Sequence, residues 1–138
     1  MKSLPLMALG LLLAPALAHA EKNVTSGLWA YEANAALGPL PMTDSGTHCI
    51  DETVEESSFE EMLNEINHNC RVTEGAFAGD DYNFKMACMG GPDGELSGKL
   101  TVGESSAQLN ATGWTGTAQS QVPVIVSASA KKINAICS

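Results

Sequence analysis

Histidine and cysteine are the first side chains to consider, because they occur together twice in this chain. His48-Cys49 and His68-x-Cys70 each place an imidazole close to a sulfur. Two imidazoles and two thiolates form a donor set that zinc favours, although this spacing matches no standard zinc-binding motif. Zinc binding is therefore one hypothesis for the function of this sequence.

Two methionines offer a second metal chemistry. Met86-x-x-Met89 presents two thioether sulfurs, which are ligands for Cu(I). Met86 also alternates with polar residues on the same side as Tyr82 and Phe84, which indicates a place in the hydrophobic core. Zinc or copper binding is therefore kept as an alternative function, and no residue is assigned as a metal ligand.

Recognisable catalytic motifs are absent from the sequence. It contains no G-x-S-x-G, H-E-x-x-H, G-x-x-x-x-G-K or G-x-G-x-x-G pattern. A nucleophilic cysteine needs a free thiolate, and the cysteines of this chain are better explained as disulfides. We therefore expect a protein that is not an enzyme and that has no cofactor.

The first twenty residues have the features of an export signal. Lys2 precedes an apolar stretch over residues 4–17, and residues 18–20 read A-H-A, which fits an A-x-A cleavage site. We predict a signal peptide over residues 1–20, cleavage after Ala20 and localisation in the periplasm. No second long apolar stretch follows, so we expect no membrane span in the mature chain.

The composition of residues 21–138 is that of a single small, acidic domain. Six Lys and Arg stand against 16 Asp and Glu, a net charge of −10. This charge repels nucleic acid and anionic lipid, so neither is an expected partner. The length and composition also exclude a collagen, a coiled coil, a polytopic membrane protein and a two-domain enzyme.

Four cysteines lie in the predicted mature chain: Cys49, Cys70, Cys88 and Cys137. An even number of cysteines in a small exported chain is typical of two disulfides, and three connectivities are possible. We favour Cys70–Cys88, because these residues lie at the open end of a predicted hairpin. That choice leaves Cys49–Cys137 as the second pair.

Polar and apolar residues alternate through most of the chain, and this pattern is typical of β-strands. Gly- and Asp-rich turns separate the alternating segments, which predicts an antiparallel meander. The predicted strands cover residues 27–34, 70–77, 82–88, 96–102, 107–112 and 122–129.

One segment has helical periodicity. Phe59, Met62, Leu63 and Ile66 follow the i, i+3, i+4, i+7 pattern and predict a short helix over about residues 58–67. Residues 35–46 contain a Gly-Pro pair and are interpreted as a loop, which places the helix between the first and second strands. The predicted fold is α+β: a curved antiparallel sheet of six to seven strands, stapled by disulfides, with the helix covering an open side.

The segment from Ser105 to Ala130 contains no charged residue and is rich in Ser, Thr, Asn and Gln. Two strands with a polar, uncharged face would explain this composition structurally. Such a face also suits a neutral ligand or a protein partner. The candidate binding residues are Trp29, Trp114, Ser127 and Ser129. Pro123 favours an edge position for the last strand, because proline cannot donate to a sheet ladder.

The order of these motifs resembles that of a known family. The motifs are G-L-W at residues 27–29, C-I at 49–50, F-x-M-x-C at 84–88 and the final Cys137. They resemble a family of small exported proteobacterial proteins of unknown function, recognised by a G-L-W-E-like start and spaced cysteines. This chain has Ala30 where that family usually has an acid, and Ala135-Ile136 where a Gly is commoner. The resemblance implies export and fold, and it implies no activity.

A second resemblance rests on Gly27-Leu28-Trp29 alone, which also fits the G-x-W of lipocalin-like barrels. It implies an apolar ligand in the mouth of a barrel. The first function hypothesis is a non-catalytic periplasmic module that binds an envelope protein, a cell-wall component or a neutral ligand. A lipocalin-like small-molecule carrier is the alternative, and metal binding is a further alternative.

Overall fold

A computed structural model of the chain describes residues 22–66, 68–89, 93–117 and 119–137. Within these residues the protein forms one seven-stranded antiparallel sheet and a short helix. The predicted signal peptide and the Gly-rich turn at residues 90–92 lie outside the described residues. The elements are β1 (Gly27–Leu37), β2 (Leu40–Ile50), a 3-10 turn (Glu56–Ser58), α1 (Phe59–Ile66), β3 (Cys70–Ala78), β4 (Asp81–Cys88), β5 (Asp93–Val102), β6 (Ser106–Gly116) and β7 (Gln121–Asn134).

The strands lie in the order β2-β1-β7-β6-β5-β4-β3. Strands β3 to β7 form the predicted meander, and the β1–β2 hairpin is added to it through pairing of β1 with β7. In the described part of the chain the two edge strands, β2 and β3, do not pair with each other. The sheet is therefore open, and it is not a closed barrel of the lipocalin type.

The predicted loop at residues 35–46 is wrong, and so is the position of the helix between the first two strands. Residues 35–37 continue β1, residues 40–50 form β2, and α1 follows β2. The turn is only Gly38-Pro39, and the positive φ of Gly38, +59°, suits a glycine at this place. The sequence of β2 does not indicate a strand, because nearly all of its residues are exposed, on both faces of the sheet, and apolar residues do not alternate with polar ones.

The hydrophobic core lies on one face of the sheet, which we call the inner face. The residues described between the edge strands β2 and β3, 51–66 and 68–69, carry the chain across this face. Phe59 and Leu63 of α1 are almost completely buried there. Val24 and Val54 exchange two backbone hydrogen bonds of 2.9 and 2.8 Å, which fix the N-terminal segment to the crossing segment.

Aromatic packing joins the helix to the sheet. The Phe59 ring lies 5.8 Å from the Tyr82 ring in an edge-to-face arrangement, and Tyr82 stacks on Phe84 at 6.3 Å. Gly98 lies opposite Phe84 on β5, and a Cβ at this position would approach Phe84 Cζ to 2.7 Å. The missing side chain therefore makes the space that the phenyl ring occupies.

Both favoured cysteine pairs are bonded in the structure. Cys70 and Cys88 face each other across β3 and β4, and Cys49 at the end of β2 is bonded to Cys137 beyond the end of β7. Because β1 lies between β2 and β7, the second disulfide spans the first residues of β1. Cys137 Sγ lies 3.3 Å from the carbonyl oxygen of Gly27.

The expectation that the last strand is an edge strand is wrong. Strand β7 lies between β1 and β6 in the sheet. Pro123 is tolerated because it lies near the start of β7, where its neighbour β1 has reached its turn. Its carbonyl still accepts a 2.8 Å hydrogen bond from Gly38 N–H.

Among the described residues, no helix is both long enough and apolar enough to cross a membrane.

We expect Phe59→Ala to lower the free energy of unfolding by about 3–5 kcal/mol, because it removes a buried ring from the helix–sheet contact. Glu61→Ala changes an exposed residue of the same helix and is expected to stay within about 0.5 kcal/mol of the wild type. Urea unfolding with the disulfides intact measures both changes. Equal midpoints for the two variants would contradict the burial of Phe59.

The two disulfides are expected to differ in their effect on stability. Cys49–Cys137 closes a separation of 88 residues and Cys70–Cys88 one of 18. The chain-entropy model gives about 4–5 kcal/mol for the longer loop and about 3 kcal/mol for the shorter. Urea unfolding of the two double Cys→Ser variants should therefore show the larger loss for Cys49→Ser/Cys137→Ser. A larger loss for the other variant would contradict this assignment.

Candidate functional site

The outer face of the sheet, opposite the core, carries the candidate site. Alternation along each strand sends the apolar side chains inward and leaves the small polar ones outside. Strand pairing then aligns Lys99, Asn110, Ser127 and Asn34 in one row across β5, β6, β7 and β1. A row of this kind brings together residues that are far apart in the sequence.

Two further rows flank this one. On one side the register aligns Thr101, Gln108, Ser129 and Glu32, and on the other it aligns Ser97 with Thr112. We call the three rows together the polar face. Its members are Glu32, Asn34, Ser97, Lys99, Thr101, Gln108, Asn110, Thr112, Ser127 and Ser129.

The centre of the polar face offers hydrogen-bonding groups without partners inside the protein. Within the described part of the chain, the side chains of Gln108, Asn110, Ser127 and Ser129 make no hydrogen bond to another residue. All four are exposed or half-buried. Their amides and hydroxyls provide both donors and acceptors, and none of them carries a charge.

Charged groups of the polar face lie toward its margins and are partly paired. Thr101 Oγ1 donates a 2.7 Å hydrogen bond to Asp81 Oδ1, and Lys99 Nζ lies 3.8 Å from Asp81 Oδ2. Glu32 lies at the opposite margin, on β1. The uncharged centre is therefore bordered by both signs of charge.

Two concave regions include residues of the polar face in their lining. A depression of about 800 Å³ is lined by Gln108 and Ser129 but also by Lys22 and the inward-facing Val102 and Ala130, so it is not confined to the polar face. A shallower groove of about 420 Å³ is lined by Asn110, Thr112, Ser127 and the exposed Ile125, among others. The surface can therefore contact an extended ligand over more than one row of side chains.

Trp114 lies at one end of the polar face. Its indole is half-buried, and Nε1 donates a 3.1 Å hydrogen bond to Glu95 Oε2. Trp114 pairs with Glu95 on one side and with Pro123 on the other. It also borders a concave region of about 380 Å³ that Ser97 and Thr112 line. The indole is thus held in place beside the hydroxyl-bearing strands.

Trp29 is a core residue, which differs from its expected place among the binding residues. Its side chain is 3% exposed on the inner face, and Nε1 donates a 2.8 Å hydrogen bond to the carbonyl oxygen of Thr25. The sheet itself separates Trp29 from the polar face. Of the four candidate binding residues, the structure therefore brings only Trp114, Ser127 and Ser129 to one surface.

The sulfurs predicted for zinc are disulfide sulfurs in the structure. Cys49 and Cys70 belong to different disulfides, so neither offers a thiolate beside His48 or His68. Among the described residues one group of potential ligands is close together, namely Cys49, Asp51 and Cys137, and two of its three atoms are bonded to each other.

The two methionines considered for copper are in different surroundings. Met86 is buried in the core, as its alternation predicts, whereas Met89 follows the end of β4 and is 70% exposed.

Sequence reasoning missed the contributions of β1 and β5 to the polar face. Asn34 and Glu32 alternate with inward-facing Tyr31 and Ala33, and this alternation in the sequence indicates that they face outward. Their position beside Ser127 and Ser129 depends on the pairing of β1 with β7, across a sequence separation of about 95 residues. Gln108 and Asn110 lie in the uncharged segment, and alternation along β6 would have identified them.

Comparison with protein families matches residues 24–137 to a family described as protein of unknown function, DUF3617. No curated protein matches the chain. No solved structure matches it either.

The different positions of the two tryptophans should appear in fluorescence quenching. We expect acrylamide to quench Trp29→Phe, which retains only Trp114, more strongly than Trp114→Phe, which retains the buried Trp29. Stern–Volmer slopes measure the difference, and urea-unfolded samples of both variants serve as the control. Equal slopes in the folded variants would contradict the two positions.

Proposed function

The chain belongs to the DUF3617 family of proteins of unknown function, and we propose that this member is an exported, non-catalytic module that binds a neutral, hydroxyl-rich component of the bacterial cell wall. The polar face is the proposed binding surface. Its uncharged centre, with four unpaired amide and hydroxyl side chains, is the observation that carries the proposal.

A neutral, hydroxyl-rich ligand suits these side chains. Ser and Thr hydroxyls and Asn and Gln amides can each donate and accept, so they complement hydroxyl groups, which do the same. An anionic ligand would meet a mature chain with a net charge of −10. A cationic ligand would need carboxylates at the centre of the face, where Gln108, Asn110, Ser127 and Ser129 stand instead.

Trp114 adds an apolar contact at the end of the polar face. An indole combines a large apolar ring with one polar N–H group, and here that group is already bonded to Glu95. The ring can therefore pack against the C–H face of a sugar while neighbouring Thr112 and Ser97 meet its hydroxyls. A glycan chain is the kind of cell-wall polymer that presents both surfaces.

Export is supported by the disulfides and by the N-terminal segment. Both disulfides suit an oxidising compartment such as the periplasm. The residue pattern at 1–20 fits a secretory signal peptide with cleavage after Ala20. The absence of catalytic motifs from the sequence supports a binding function rather than an enzymatic one.

The two other functions considered have less support. A lipocalin-like carrier needs an enclosed barrel mouth, and the edge strands β2 and β3 leave the sheet open. Zinc binding through the cysteines needs thiolates, and the described cysteines are oxidised.

Co-sedimentation with purified peptidoglycan sacculi tests the proposed function. We expect the wild-type protein to sediment with sacculi. Ser127→Glu/Ser129→Glu should reduce the bound fraction at least about tenfold, because it introduces two unpaired negative charges at the proposed contact. Trp114→Ala should reduce it by a smaller factor, through loss of the ring contact.

Ser57→Glu is the control for added negative charge, because it places one glutamate, against two in the test variant, at an exposed residue of the 3-10 turn, away from the outer face. It should bind sacculi as the wild type does. Absence of wild-type binding would reject the cell wall as the ligand. Equal binding by Ser127→Glu/Ser129→Glu and Ser57→Glu would reject the polar face as the contact.

A further inference from the structure

The two edges of the sheet differ in how they are protected. At the β3 edge, the register with β4 shifts between Val72 and Glu74, and Asn64 Oδ1 of α1 accepts a 2.8 Å hydrogen bond from Val72 N–H. A bulge and a covering helix are two ways in which proteins prevent edge pairing. The β2 edge has neither feature: its register with β1 is continuous over eleven residue pairs, and residues 40–48 are exposed.

The backbone groups that β2 leaves open can be identified from the neighbouring strand. Gly38 N–H bonds to Pro123 on β7, so the even-numbered residues of β1 point their backbone groups toward β7 and the odd-numbered ones toward β2. The register pairs the even-numbered residues of β2 with the odd-numbered residues of β1, so these two sets bond to each other. Thr43, Ser45 and Thr47 therefore direct their N–H and C=O groups away from the sheet.

We propose that β2 pairs with β2 of a second copy of this chain, antiparallel and about a two-fold axis at Gly46. This register brings Ser45 opposite the partner's Thr47, so that the outward backbone groups meet in hydrogen-bonded pairs. The proposal concerns a different surface from the polar face and does not depend on the ligand proposed above.

The side chains of β2 are complementary to themselves in this register. On the inner side, Asp44 lies opposite the partner's His48, and Met42 lies opposite the partner's Ile50. Each pair occurs twice because of the two-fold symmetry. An imidazole N–H donates to a carboxylate in either protonation state of the ring. Met42, which is 49% exposed in the single chain, gains an apolar neighbour.

Other symmetric registers lose the Asp44–His48 pairs, and the register centred on Asp44 is in addition disfavoured by charge. It would place Asp44 directly opposite the partner's Asp44, and like charges at opposed positions destabilise a strand pair. The overall negative charge of each chain opposes association more weakly, because salt screens separations beyond about 8–10 Å.

Tyr31 holds the Asp44 side chain on the inner side of the strand. The Tyr31 hydroxyl donates a 3.2 Å hydrogen bond to Asp44 Oδ2, and this bond raises the pKa of Tyr31 above its usual value. A Cβ at Gly46 would lie 3.4 Å from Tyr31 Cε1. The Tyr31 ring therefore packs against Gly46, the residue on the proposed two-fold axis. The second carboxylate oxygen remains available to the partner's His48.

Sedimentation velocity of the oxidised protein over a wide range of concentration tests the pairing. We expect a reversible monomer–dimer equilibrium for the wild type. Ser45→Pro removes an outward N–H and adds a ring at the contact, and it should abolish the dimer while leaving the β1–β2 bonds intact. Circular dichroism and the thermal midpoint at low concentration report whether Ser45→Pro is folded.

A charge exchange tests the register and does not depend on the proline variant. His48→Asp places two pairs of acids in opposition and should weaken the dimer roughly tenfold or more, because each favourable cross-strand pair becomes a pair of like charges. Asp44→His/His48→Asp restores opposite types at every contact and should recover most of the wild-type affinity. This recovery separates a specific pairing from a general loss of structure.

Three results would overturn the proposal. The first is a wild-type protein that stays monomeric at every concentration. The second is a folded Ser45→Pro variant that dimerises as the wild type does, which would place the contact elsewhere. The third is an Asp44→His/His48→Asp variant no tighter than His48→Asp, which would reject the register at Gly46.

Discussion

The inner face of the sheet must be covered, and the segment that joins β2 to β3 provides the cover. These two strands are the opposite edges of the sheet, so the chain between them has to cross its whole width. The crossing residues bury Phe59 and Leu63 against Trp29, Tyr82 and their neighbours in one continuous core. Without this burial, an open sheet of this size would expose its apolar side to water.

Covering one face leaves the other to the solvent, and the two faces consequently have different compositions. Inside, small residues such as Ala111 and Gly98 let the sheet curve closely around the Phe84 ring. Outside, the same strands present hydroxyls and amides in aligned rows. The core and the polar face thus both result from the alternation of apolar and polar residues along the strands. A shift of register by one residue would exchange the two faces.

The sequence predicts the elements whose faces differ most in polarity. Strands β4, β5 and β7 and helix α1 are recognised because apolar residues recur with a period of two or of 3.6. Strand β2 is not, because an edge strand exposed on both sides needs no apolar alternation, and its composition resembles that of a loop. Which tryptophan is buried follows from strand register rather than from residue type. Ser127 and Asn34 lie side by side only because β1 pairs with β7, which are far apart in the sequence.

The disulfide between Cys49 and Cys137 has a consequence for the lifetime of the molecule. It encloses α1 and five of the seven strands within one covalent loop. A protease that cuts one exposed turn outside the Cys70–Cys88 loop, such as that at residues 104–105 between β5 and β6, produces two pieces that stay attached through the sulfur bridge. The pieces cannot diffuse apart, and the core contacts between them persist at high local concentration. Clearance of this protein from a protease-rich compartment therefore requires a second cut or reduction of the bridge.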